Sequence, residues 1–466
     1  MDDDKIKAFK LDERFLEDLF KILKIDSVKS EEKAYAPYGE GIALALKEVL
    51  EIAESYGFTV KNLDNHIGYA EYGEGEDYIG VLGHIDVVPA NDYKEAFNPK
   101  IEDGKLYARG ALDDKGPILT ALYALKLLKD NNIKLNKKVR IIFGCNEESG
   151  DSDILYYLKA EKPPIMCFTP DAYFPIVFSE KGILTFLLEY DIKETKGYSI
   201  VDIRGGTRSN IVPDKAIVEL GALSSRVSSE LHDLQSYSRD NKNIKVIENR
   251  KIDDVKRLNI ESLGKAAHGS TPYEGVNAIS NLFMFLNNNL CFRDSFGDFL
   301  EDFSFIFNGD FTGERLGILH KDNILGNLTV NLGIVSFNHG KISLRLNIRY
   351  PNSITYEQIY ERLEDRIRST GFKLVKQNHL KPLFFEEQSP LIEGLKRAYE
   401  SEVKEKAELL AVSGGTYAKL MPNTVAFGPL FKDDINTAHE KDEFIEIASL
   451  EKALRIYARA LVELSK

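Results

Sequence analysis

Cysteine is scarce: Cys145, Cys167 and Cys291 are the only ones in 466 residues. An odd, widely spaced set is neither a disulfide framework nor a cysteine-based zinc site, and reads as structural thiols in a reducing cytoplasm. Long apolar runs are missing too. No stretch approaches the roughly 18 apolar residues of a transmembrane helix. The opening Met1-Asp2-Asp3-Asp4-Lys5 has no cationic segment leading into an apolar one, which argues against a secretory signal. Positive charge is in deficit: 61 lysines and arginines face 74 aspartates and glutamates, for a formal net charge of −13. That balance excludes a general binder of nucleic acid or of anionic membranes, though not a local basic pocket. Internal repeats, low-complexity tracts and long linkers are absent.

The chain's length suggests two to four domains and is ample for a large core. In the first third, helix and strand signals alternate. Leu11 to Ile25 carries apolar residues at helical spacing, and Gly41 to Tyr56 repeats the pattern and stops at Gly57. Tyr78 to Leu82, Val139 to Phe143 and Ile165 to Phe168 are short apolar runs that read as buried strands, with a helix over Pro117 to Leu128. Helices between such strands predict a parallel sheet covered on both faces. Near residue 180 the pattern changes. Gly182 to Ile192, Asp214 to Leu223 and Asp254 to Leu263 look like strands, followed by a helix over Asn277 to Leu290. Leu328 to Phe337 and Lys341 to Arg349 flank the turn Asn338-His339-Gly340, and Thr355 to Thr370 opens with a capping box. After a helix at Ser389-Pro390, a strand at Thr424 to Phe427 and a helix over Ile445 to Leu464 return to the opening style. The expected fold is α/β: a catalytic domain with a mostly parallel sheet covered by helices, interrupted by an inserted α+β lid domain. The divisions fall at 1–179, 180–384 and 385–466.

Four of the strand signals are followed by histidine or acidic residues: Gly83-His84-Ile85-Asp86, Asn146-Glu147-Glu148-Ser149-Gly150, Thr169-Pro170-Asp171 and Thr437-Ala438-His439-Glu440. Ligands of open α/β sheets bind beyond such strand ends. Arg109 to Gly116, with Asp113-Asp114 inside it, sits just before a helix. Singly, each reads as a turn, a cap or a solvated loop; together they form a mixed imidazole and carboxylate set. His84, Asp113, Glu148, Asp171 and His439 suit zinc, manganese or cobalt better than calcium, and one carboxylate could bridge two ions. Asp86, two residues beyond His84, could accept the second imidazole N–H. Glu147 is then left to act as a base.

The ordered stretches G-H-I-D-V-V-P (83–89), A-R-G-A-L-D-D-K-G-P (108–117), N-E-E-S-G (146–150), T-P-D-A (169–172) and T-A-H-E (437–440) resemble the co-catalytic zinc metallopeptidases. That family includes carboxypeptidase G, acetylornithine deacetylase and succinyl-diaminopimelate desuccinylase. P-D-A-Y-F-P (170–175), G-G-T-Y (414–417) and V-A-F-G (425–428) make the chain most similar to its PepV-type dipeptidases. The resemblance implies two divalent ions, zinc first, with Asp113 bridging. His84 and Asp171 would then serve one ion, and Glu148 and His439 the other. It implies Glu147 as general base, Asp86 as the histidine's partner and a cis peptide between Asp113 and Asp114. In the inserted block it implies His268 as a carbonyl-polarising residue, Asn210 as a second polar contact and Arg349 as the holder of a substrate carboxylate. Gly414, Gly415 and Thr416 could add backbone N–H groups to that carboxylate. The expected function is hydrolysis of dipeptides with free termini by a cytoplasmic monomer. The alternatives are an N-acyl amino acid deacylase or desuccinylase of the same family, and a catalytically silent metal-binding scaffold. The loop after Glu148 departs from PepV-type relatives, which often carry a tryptophan there; this chain has none.

Overall fold

The structure is a computed structural model that describes residues 2–90, 93–193, 195, 198–222, 234, 236, 238, 241–252, 255–289 and 294–466. These residues form two compact units, one of 1–179 with 383–466 and one of 180–382.

The first unit is built on a nine-stranded sheet. At its centre Lys138–Gly144, Tyr78–His84, Met166–Thr169 and Thr424–Ala426 run parallel in that order. Antiparallel strands flank them: Thr59–Leu63 and Ile67–Tyr72 on one side, Ile176–Glu180 on the other. The central strands are continuous apolar runs because both of their faces are buried. Along Tyr78–His84, Ile79 and Val81 join one core cluster while Tyr78 and Leu82 join another. The helix Lys115–Asp130 lies on this strand and under the C-terminal helix Ile447–Leu464. Every residue from Lys115 to Leu125 is buried, so the helix is apolar around most of its circumference. The hairpin Thr59–Leu63/Ile67–Tyr72 has no clear apolar alternation and escapes the sequence reading; its turn is marked only by Asp64 and Asn65, both at positive φ.

The second unit is an eight-stranded antiparallel sheet with helices Ala278–Asn289, Ser295–Ile306 and Tyr356–Ile367. Gly182–Asp191 alternates strictly between buried and half-buried positions, the pattern of a sheet with one covered face. Thr329–Asn338 and Lys341–Tyr350 meet through His339 and Gly340, both at positive φ, as a two-residue hairpin requires. The capping box at Thr355 and Gln358 is formed. Cys145 and Cys167 are buried free thiols, and Cys291 lies outside the described residues.

One buried charge shapes the first unit away from its strand ends. Arg140 reaches Glu71 at 2.8 Å and Glu161 at 3.1 Å, and its guanidinium lies 3.8 Å from the Tyr69 ring centroid and 4.3 Å from that of Tyr78. Removing a buried partner strands the charges left behind. Arg140→Ala is therefore expected to destabilise the protein by about 3 kcal/mol, the low end of the range because both carboxylates keep some solvent. Urea unfolding followed by tyrosine fluorescence checks this; an unchanged midpoint would refute it.

Candidate active site

His84 ends its strand fully buried, and its orientation is set from both sides. Its backbone N–H donates to Asp114 Oδ2 at 3.1 Å, an approach open only because residue 83 is glycine: a Cβ there would collide with that same oxygen. Its Nδ1 lies 2.9 Å from the Asp86 carbonyl oxygen and 3.5 Å from the Asp86 carboxylate. The expected carboxylate partner is thus mainly a carbonyl. The Asp86 carboxylate is committed elsewhere, accepting the backbone N–H of Glu147 and of Glu148, each at 3.1 Å. One residue therefore aligns the histidine and the two glutamates.

Asp113 occupies the middle of the array. Its Oδ1 is 2.9 Å from His84 Nε2, and its Oδ2 is 3.0 Å from His439 Nε2. His439 Nε2 is also 2.9 Å from Glu148 Oε1. Asp171 Oδ2 stands 3.9 Å from His84 Nε2. The Asp113–Asp114 peptide is cis. The structure thus gathers His84, Asp113, Glu148, Asp171 and His439 from distant parts of the chain, with ligand atoms of His84, Asp113 and Glu148 all within 4.8 Å of one another.

The electrostatics are those of crowded carboxylates. Burial pushes the Glu147 carboxyl up to about 8, and the charges of Glu148, Asp113 and Asp86 add to the rise against the pull of His84. Burial likewise raises Glu148 and Asp171, with Asp113 reinforcing both. Asp113 itself is held well below the usual range: burial opposes its charge, but the bonds from His439 and His84 outweigh it. His439 rises to about 11 through its bonds to Asp113 and Glu148. Among the described residues, no lysine or arginine is paired with Asp113, Glu147, Glu148 or Asp171. Acidic groups thus outnumber the two imidazoles in a crowded space where His84 is buried, the carboxylates are half-buried and His439 is exposed, and all the donors are nitrogen or oxygen. That donor set fits divalent cations of the zinc, manganese and cobalt type.

Two supports were not legible in the sequence. Glu443, four residues beyond His439, is fully buried under the Asp113 loop and bonds the Leu112 and Asp113 N–H groups at 2.9 and 3.1 Å. Asp153 accepts the N–H of Cys145 at 2.7 Å and of Asn146 at 3.1 Å, and also the Tyr417 hydroxyl. Tyr417 follows the predicted Gly414-Gly415-Thr416 segment; there, Thr416 Oγ1 caps a short helix by accepting Ala418 N–H at 3.2 Å.

His268, Asn210 and Arg349 belong to the inserted unit, where they share one polar neighbourhood. Gly269 N–H donates to the Asn210 carbonyl at 2.7 Å, and His268 Nδ1 lies 2.6 Å from Ser270 Oγ. Asn331 Nδ2 holds the carbonyls of Ser209 and Ile211 at 2.8 and 2.9 Å, and Thr329 Oγ1 reaches the Ser270 carbonyl at 3.3 Å. Arg349, opposite Thr329 in the sheet, is buried and donates from Nε to Asn347 at 2.9 Å.

Comparison with known proteins bears on the family and the fold. Residues 80–463 match the family model described as peptidase family M20/M25/M40. A curated relative from Bacillus subtilis, named "Putative dipeptidase YtjP", is 37% identical over 472 residues, covering 99% of each chain. Among solved structures, the di-peptidase Dug1p of Saccharomyces cerevisiae matches with a TM-score of 0.59 at 14% identity, covering 99% of this chain and 98% of that one. An M20 family metallo-carboxypeptidase from Sulfolobus solfataricus matches with a TM-score of 0.58 at 18% identity, covering 98% and 100%. At such identities these two show the shared fold, a catalytic domain with an inserted one. Membership implies a hydrolase that works with divalent metal ions. The chain belongs to the M20/M25/M40 peptidase family.

Proposed function

We propose that this chain is a dinuclear-metal dipeptidase that hydrolyses short peptides with free termini, with Glu147 as its general base. The observation that carries the reading is the Asp113 carboxylate, which turns one oxygen to His84 and the other to His439. That is the disposition a bridging ligand needs. His84 and Asp171 would hold one ion, and Glu148 and His439 the other; zinc is the first candidate. Such ions supply Lewis acidity toward a carbonyl and lower the pKa of water. Glu147 accepts the proton of the attacking water and passes it to the leaving amine. Asp86 keeps Glu147 in place through its backbone N–H, and holds the His84 ring through Nδ1. The relative named "Putative dipeptidase YtjP", matched over 99% of each chain, supports the substrate class.

In the inserted unit, Arg349 is proposed to receive the substrate carboxylate, with Asn210 and His268 as further polar contacts. Burial lowers the Arg349 guanidinium to about 10. It remains a cation at neutral pH, with a fork suited to a carboxylate. Arg349→Ala is expected to raise KM for a dipeptide by roughly tenfold or more, the cost of losing a charge-assisted bond of about 1.5–3 kcal/mol. An unchanged KM in steady-state kinetics would remove Arg349 from this role.

The substrate class is tested by offering metal-loaded protein free dipeptides beside N-acetyl and N-succinyl amino acids. Release of amino acids from the dipeptides alone is the expected result. Cleavage confined to the acyl compounds would move the chain to the deacylase branch, and no cleavage of any of them would favour the silent scaffold.

A further inference from the structure

We propose that Glu443 is a positioning residue that sets Asp113 and His439 at metal-binding distance, without itself being a ligand. The inference rests on the reading of these two residues as ligands of the metal site.

Glu443 is fully buried, and its carboxylate is saturated by donors from a single loop. Oε1 accepts the N–H of Leu112 at 2.9 Å and of Asp113 at 3.1 Å. Oε2 accepts the N–H of Gly110 at 3.1 Å and Arg109 Nη1 at 2.7 Å. The Glu443 carbonyl takes the Ala108 N–H at 3.2 Å. The Glu443 side chain thus binds four donors of the loop 108–113, which is also tied by the Arg109 N–H to the Ala96 carbonyl at 2.8 Å and by the Gly110 carbonyl to the Gly116 N–H at 3.1 Å; at its Asp113 end the backbone N–H groups of Leu112 and Asp113 are held by Glu443. The other end of the link is His439. Arg109, held by Glu443, reaches back from Nη2 to the His439 carbonyl at 3.5 Å. The segment itself is closed by Thr437, whose hydroxyl donates to the Phe444 carbonyl at 2.9 Å and accepts the Phe444 N–H at 3.0 Å. His439 and Asp442 both take positive φ within this closed turn.

Stability alone is a weak explanation for such an arrangement. A buried carboxylate and guanidinium can often be replaced by apolar side chains at little cost. An apolar side chain at 443 could not accept three backbone N–H groups, however, and without those bonds the Leu112 and Asp113 N–H groups lose the acceptor that fixes them. Partners that orient metal ligands typically contribute 10–100-fold to metal affinity.

The experiment titrates metal-stripped wild type, Glu443→Gln and Glu443→Asp with zinc against a chromophoric chelator, alongside thermal unfolding of each stripped protein. Arg140→Ala serves as the control, a buried ion-pair variant expected to lose stability and keep its metal affinity. The inference predicts that the Glu443 variants fold and bind zinc about 10–100-fold more weakly, Glu443→Asp less so than Glu443→Gln. A folded Glu443→Gln with wild-type affinity would overturn it. Failure of both variants to fold would also count against it, because Glu443 would then be a residue of the fold rather than of the site. If the wild type binds no zinc, the metal-site reading itself falls, a result distinct from either.

Discussion

Replacing Glu147 by alanine is expected to leave metal content and fold intact while lowering kcat by roughly a thousandfold, within the range for loss of a general acid–base group. The expectation follows from how Glu147 is held. Its backbone is anchored on Asp86, but its carboxylate has no assigned partner among the metal ligands, which are already engaged with one another. Burial and the neighbouring carboxylates push its carboxyl up to about 8. A cation in the array would draw that value down, toward the range where a base works at neutral pH. Among the described residues the Glu147 carboxylate makes no hydrogen bond or ion pair that holds the fold, so folding is not expected to suffer. Steady-state kinetics with metal analysis of the same sample make the check. Activity within a few-fold of wild type would eliminate Glu147 as the base.

Asp113→Ala is expected to act on the metal instead. With one carboxylate oxygen at 2.9 Å from His84 and the other at 3.0 Å from His439, its loss would, on the proposed reading, remove a shared ligand from both ions at once. Even outer partners of metal ligands contribute 10–100-fold to affinity, so both ions should be weakened by more than about a hundredfold. By contrast, His439→Ala would on that reading remove a ligand from only one ion and should spare the other. Metal content after dialysis, by mass spectrometry, distinguishes the patterns. If Asp113→Ala retained a full complement of metal, Asp113 would not bridge.

The parts of this protein that were legible in its sequence share a physical cause. Strands buried on both faces, such as Tyr78–His84 and Lys138–Gly144, must be apolar throughout, so they stand out as short unbroken runs. The chemistry then sits one or two residues beyond their ends, as His84 and Asp86 do. In the inserted unit, alternation over Gly182–Asp191 and the His339-Gly340 turn are equally local signals. What stayed hidden depends on pairing across the chain. Glu443 reads as one more acidic residue in a charged loop, and its partner Arg109 lies 334 positions away. Asp153 looks like an ordinary first-turn acid of a helix, yet it supports the Asn146 backbone and the Tyr417 hydroxyl. Spacing puts Asp86 beside His84, yet it is the Asp86 carbonyl that lies nearest Nδ1, while its carboxylate serves the Glu147–Glu148 backbone, a contact that spacing along one strand cannot reveal.

The central claim is a peptidase site that needs two ions, and metal titration meets it directly. Protein stripped of metal is given zinc in increments while cleavage of one free dipeptide is followed. The account predicts no cleavage by stripped protein and a rise that breaks near two equivalents per chain, as a shared dinuclear site requires. Full cleavage by the stripped protein, or a break at one equivalent, would contradict it.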